Sequence, residues 1–90
     1  MVTVILSHEV KDATEWKKVF DEGESLRAGA GVKTNGVYTA ADNSNFVTVV
    51  AEFPSAEAVD GFVNNPQLQA TMQQAGVIGK PDIKILNTLS

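Results

Sequence analysis

Apolar and polar side chains alternate over residues 2–10. Val2, Val4, Leu6, His8 and Val10 fall on one face and Thr3, Ile5, Ser7 and Glu9 on the other, which predicts a β-strand with one nearly apolar side. The period then changes. Asp12 with Glu15 three residues later reads as a capping box, and Ala13, Trp16, Val19, Phe20, Gly23, Leu26 and Arg27 recur at intervals of three and four. This predicts one amphipathic helix that ends where Gly29 and Gly31 allow the chain to turn out of it. Strand character returns over 32–41, interrupted by Gly36. Residues 42–45 form a polar turn, and 46–53 is the clearest strand in the chain, so the two strands form a hairpin. Ser55 then caps a helix with Val59, Phe62 and Val63 on its inner stripe. Asn64-Asn65-Pro66 interrupts that helix, and Pro66 restarts it with Leu68, Met72 and Ala75 facing inward until Gly76 closes it. A loop over 79–81 precedes a last strand, 82–89, with Ile83, Ile85 and Leu89 on one face.

The element order is β-α-β-β-α-β with the second helix split. It predicts an α+β, ferredoxin-like fold over residues 1–90 as a single domain, with a four-stranded antiparallel sheet and both helical regions on one face. The helix-facing set is Val2, Val4, Leu6 and His8; Val47, Val49, Ala51 and Phe53; and Ile83, Ile85, Asn87 and Leu89. The other face mixes Ile5, Phe46, Thr48, Val50 and Leu86 with Ser7, Glu52 and Lys84. That is too apolar for a fully wet surface and too polar for a dry core. Each aliphatic side chain covered there contributes about 1.5–3 kcal/mol, which matters to a chain this short. A homodimer formed through this sheet face is therefore expected, the alternative being a sheet with one wet side.

Composition narrows the chemistry. The 90 residues include no cysteine and one histidine, so a disulfide framework, a thiolate nucleophile and a classical zinc site are excluded and no metal or other cofactor is expected. Eleven carboxylates face seven lysines and arginines, a net charge of −4, which disfavours a nucleic-acid partner. The N-terminal residues lack a basic lead-in and an apolar core, and no run approaches the ~18 apolar residues of a membrane span. No membrane association and a cytoplasmic location are expected.

His8 is the one side chain whose ordinary pKa lies near neutrality, and it sits on an otherwise aliphatic strand face. It is the candidate general base, or the anchor of a polar ligand group; the alternative is a packed histidine with one hydrogen bond. Trp16 and Phe20 from the first helix and Phe62 and Met72 from the second can line a cavity for a planar small molecule, or simply constitute the core. Tyr38, Asn35 and Asn87 carry donors suited to orienting a carbonyl or phenolate. Arg27 near a helix C-terminus suits a structural role. Glu52 is the carboxylate a second sheet would cover, with Lys84 as its expected partner.

His8 on the first strand, Glu15-Trp16-Lys17-Lys18-Val19-Phe20 on the first helix, Asp42-Asn43-Ser44-Asn45 in the hairpin, Glu52-Phe53 closing the third strand, Asn65-Pro66-Gln67-Leu68, and Met72 to Val77 together resemble small bacterial proteins of the dimeric α/β-barrel superfamily. The chain looks like a relative of the antibiotic-biosynthesis monooxygenase group, which includes proteins labelled cyclases. The resemblance runs over nearly the whole chain. It implies ferredoxin-like subunits paired sheet to sheet, with a small-molecule pocket between helices and sheet in each. It also implies a cofactor-independent monooxygenase or cyclase-like activity on an aromatic or polyketide-like substrate, activated by deprotonation. The contrasting expectation is a non-catalytic ligand-binding or interaction module. Haem degradation, found in another branch, needs a histidine from the second helical region, and residues 55–75 contain none.

Overall fold

In the computed structural model, which describes residues 1–87 and 89, strand β1 (Val2–Val10) lies between β3 (Asn43–Phe53) and β4 (Val77–Leu86). Strand β2 (Lys33–Ala40) flanks β3, giving the order β2-β3-β1-β4 with every neighbour antiparallel. Helices α1 (Ala13–Glu22) and α2 (Glu24–Gly29) connect β1 to β2, and α3 (Ala56–Val63) and α4 (Pro66–Gln74) connect β3 to β4. This is the α+β, ferredoxin-like arrangement that the alternation of periods predicts, with the helices on one side of the sheet.

The register fixes which residues share a face. Val2, Val4, Leu6 and His8 stand opposite Phe53, Ala51, Val49 and Val47, and all but the half-buried Leu6 are buried. Trp16 from α1, Val59 from α3 and Ala75 after α4 close over this row and complete the core. Residues directly opposite across an antiparallel pair point the same way, so the core is the helix-facing side of the sheet. Ser55 and Asn65 cap α3 and α4 through side-chain bonds from the Ala58 and Gln67 amides, 3.1 and 2.9 Å, with Pro66 at the start of α4.

Several local expectations are corrected. The first helical stretch is two helices, because Gly23 ends α1 with its amide donating to the Val19 and Phe20 carbonyls. The phase restarts at Glu24 and leaves Leu26 47% exposed instead of on the inner stripe. Strand β4 starts at Val77 and ends at Leu86. Residues 79–81 are an irregularity inside it, since Ser7 pairs with Asp82 while Glu9 pairs with Ile78. Three residues thus oppose His8 alone, and Gly79 takes the positive φ of 73° that the bulge demands. Ile85 shares Val4's face but lies exposed on the outermost strand, and Asn87 and Leu89 lie exposed beyond the strand. Lys84 pairs with Asp82 at 2.6 Å, not with Glu52, which faces Lys33 across the β2–β3 ladder.

The hairpin turns at Ala41–Asp42, earlier than residues 42–45, and a register shift follows between Thr39 and Ala40. Beyond that shift Tyr38 pairs with Thr48, which places its side chain on the face turned away from the helices. There its ring folds back over Gly36, occupying the space any β-carbon at position 36 would need.

Candidate functional site

Three backbone decisions bring the site together. Strand β1 presents His8 to the core, β3 sets Val47 beside it, and β2 sets Thr39 beside Val47, so that His8, Val47 and Thr39 form one row across the sheet. Helix α1 covers the row. Its first turn is fixed by Asp12, whose carboxylate accepts from the Thr14 and Glu15 amides at 2.9 and 3.3 Å. Asn45 of β3 accepts from the Ala13 amide at 3.2 Å and ties the helix start to the sheet. Glu15 turns to Lys18, 3.3 Å away, an exposed pair worth little, so the capping box is half built.

The imidazole of His8 is 3% exposed, and among the described residues neither ring nitrogen has a hydrogen-bond partner. Burial pushes its pKa below the ordinary histidine value, because the desolvated ring resists a charge. The ring is therefore neutral near pH 7, with one N–H donor and one lone pair. Leaving a buried polar atom unpaired costs about 1–3 kcal/mol.

An aromatic series runs outward from this ring. His8 meets Trp16 in a T-shaped contact, 5.5 Å between centroids. Trp16, 4% exposed, stacks on Phe20 at 5.0 Å with 23° between planes. The Arg27 guanidinium lies 3.7 Å from the centre of the Phe20 ring and donates to the Phe20 carbonyl at 2.6 Å. Arg27 thereby fills the structural role its position suggested, a cation closing the end of α1.

Trp16 also borders a half-open cleft of about 240 Å³, lined by Ala13, Trp16, Lys17, Val37, Tyr38, Thr39 and Val47. Four of these are apolar or aromatic residues of the core row or its cover, and Thr39 and Lys17 supply polar groups. His8 is not part of the lining. It lies one strand over from Val47 and meets the ring of Trp16. A larger depression, about 390 Å³, follows the solvent side of α1 along Ala13, Thr14, Lys17, Lys18 and Asp21. It is wide open, and its Lys17 and Asp21 neutralise each other at 2.7 Å, so it offers no convergent chemistry.

Of the residues singled out by sequence, His8, Trp16 and Phe20 are contiguous. Tyr38 borders the cleft through its place in β2, but its side chain belongs to the opposite sheet face by register. Phe62 packs edge-on against Phe53 at 5.5 Å, Met72 is half-buried on α4, and Asn87 is exposed; none of the three lines this cleft. Lys17, Val37 and Thr39 were not anticipated. The signal for Thr39 is its pairing with Val47, which is legible once the hairpin register is known. Among the described residues no group of three or more histidine, aspartate or glutamate side chains is placed to hold a metal ion, and no helix is long and apolar enough to cross a membrane.

No family model matches the chain, and no curated protein matches it. Solved structures do share its fold. A Bordetella bronchiseptica protein named as a candidate antibiotic biosynthesis monooxygenase superposes with a TM-score of 0.76 at 12% identity, covering 99% of this chain and 97% of that one. The cofactor-independent oxygenase SnoaB of Streptomyces nogalater, in a mutant form, gives 0.73 at 16% identity over 99% and 93%. An uncharacterized NIPSNAP domain protein of Burkholderia xenovorans gives 0.72 at 16% over 100% and 96%. At these identities the likeness establishes the ferredoxin-like fold.

Proposed function

We propose that this chain is a small-molecule-binding protein that acts as a cofactor-independent monooxygenase or cyclase-like enzyme on an aromatic or polyketide-like compound. The observation that carries this reading is His8, a buried neutral imidazole whose two nitrogens have no partner among the described residues, in ring contact with the Trp16 that walls the cleft. Its lone pair accepts the proton of a phenol, an enol or an activated CH₂ group. The resulting carbanion or enolate gives its electrons to dioxygen, a C–O bond forms, and loss of water from the hydroperoxide turns CH₂ into C=O. Dioxygen is the oxidant and His8 holds the proton. Trp16 supplies a planar surface for the substrate ring. The likeness in fold to a cofactor-independent oxygenase favours this chemistry by analogy.

The working form is a homodimer joined through the open sheet face. Ile5 and Val50 are opposite each other there, flanked by the exposed Phe46, Leu86 and Tyr38 around a Ser7–Thr48 hydroxyl pair at 2.9 Å. A second copy of this face offers the same apolar side chains around the same hydroxyl pair.

Oxygen uptake with anthrone and with a naphthoquinol tests the activity. Turnover that His8→Ala abolishes is expected. Saturable quenching of Trp16 fluorescence with no oxygen uptake identifies a non-catalytic binding module instead, and neither signal with either compound overturns the reading.

A further inference from the structure

The cleft and the imidazole are neighbours that do not meet. Val47 forms part of the cleft and stands opposite His8, yet His8 is 3% exposed and off the lining, and Trp16, which borders the cleft, meets the His8 ring. One face of that indole is stacked on Phe20, its surroundings include the His8 ring edge, and it also borders open space. At about 240 Å³ the cleft also falls below the ~300–1,000 Å³ usual for small-molecule sites.

We infer that Trp16 is a gate, the residue that decides which molecules reach His8, and that Phe20 and Arg27 are its latch. Displacement of the indole uncovers the imidazole it meets and gives the cleft access to it. The helix itself stays in place, because Asp12 and Asn45 hold its first turn to the sheet. What holds the gate shut is the stack behind it. Arg27 lies over the Phe20 ring at 3.7 Å, and its bond to the Phe20 carbonyl keeps the guanidinium there. A flat ring that can replace the indole's contacts with His8 and Val47 opens the gate; a bulky aliphatic molecule has no such means. The inference rests on the reading of His8 as the site's base only for the identity of what passes through.

The test uses the chain's single histidine: carbethoxylation of imidazole by diethylpyrocarbonate, read at its own absorbance band, reports His8 apart from any labelling of lysine, tyrosine or the N-terminus. The protection of His8 in the wild-type protein without ligand, its labelling rate set against that of free imidazole, is expected to be at least about tenfold weaker than the protection of the slowest-exchanging core amides, the mark of a local opening. Arg27→Met, which keeps the stem over Phe20 but removes the charge and the hydrogen bond, is expected to raise labelling about fivefold relative to those amides. In Trp16→Phe the rate rises and no longer responds to Arg27→Met. Labelling that merely tracks global unfolding in wild type, or that ignores both substitutions, overturns the gate. No ligand enters these measurements, so a working gate in a protein that binds neither anthrone nor naphthoquinol sinks the functional reading alone.

Discussion

The rings of His8 and Trp16 stand 66° apart in an edge contact, and neither imidazole nitrogen has a hydrogen-bond partner among the described residues. A strand residue that the core would accept more readily as leucine is thus kept as histidine, next to the one tryptophan of the chain. Sites that break local packing rules are where function concentrates.

The stability cost of His8 has a sign. Its folded pKa lies below its unfolded value, so the unfolded chain binds more protons as the pH falls. The stabilising preference for the neutral ring is complete above the unfolded value near 6.5 and is lost as the pH drops toward the folded one. The melting temperature is therefore expected to fall between pH 7 and about pH 5.5, and His8→Leu is expected to flatten that part of the profile. A wild-type profile with the same slope as His8→Leu contradicts the assignment.

At pH 7 the same substitution removes two unpaired polar atoms and replaces them with carbon. His8→Leu is expected to leave stability unchanged or raise it by up to ~1–2 kcal/mol in urea denaturation, while abolishing turnover. A loss of stability would mean that the imidazole has a partner.

The start of α1 is a second point of leverage. Asp12→Ala removes the acceptor for two amides and is expected to cost about 1 kcal/mol. Because Asn45 secures the adjacent Ala13 amide, Asn45→Ala in the same background is expected to cost more than the sum of the separate effects. A double-mutant cycle in chemical denaturation measures the coupling.

The open sheet face is expected to be sensitive to charge at its centre. Val50→Asp, opposite Ile5, should convert a dimer to a monomer in native mass spectrometry and lower the melting temperature. An unaltered mass spectrum with a wild-type dimer would place the contact elsewhere, and a monomeric wild type would remove the dimer from the account.

Gly36 and Tyr38 form a pair on that face. Gly36→Ala is expected to displace the Tyr38 ring and destabilise the protein, and Tyr38→Ala should remove most of that penalty. Additive effects in thermal denaturation would show that the ring does not need the space.

Much of this was legible in the residues. The alternation from Val2 to Val10 and the three-and-four spacing after Asp12 specify strand and helix because one face of each must be buried. His8, Trp16 and Phe20 came out together for the same reason, being inward residues of two adjoining elements. Tyr38 did not. A turn over residues 42–45 pairs Tyr38 with Val49 on the core side, whereas the turn at Ala41–Asp42 with its register shift pairs it with Thr48 on the other. One residue of slip reverses every side chain of a strand, and no periodicity within β2 reports it. The break at Gly23 was hidden similarly, because glycine fits the inner stripe of a continuous helix as well as it ends a short one. The bulge at Gly79–Pro81 looks like a loop in sequence, since glycine and proline mark both.

His8 is read as a buried, neutral base that a ligand reaches past Trp16. Long-range proton–nitrogen NMR of the protein carrying nitrogen-15 histidine, titrated with anthrone near pH 7, addresses it directly. The expected result is a neutral ring with a free lone pair in the unliganded protein, and a shift at one ring nitrogen that saturates together with the Trp16 fluorescence. Two ring nitrogens that stay put while the indole signal saturates would contradict the account.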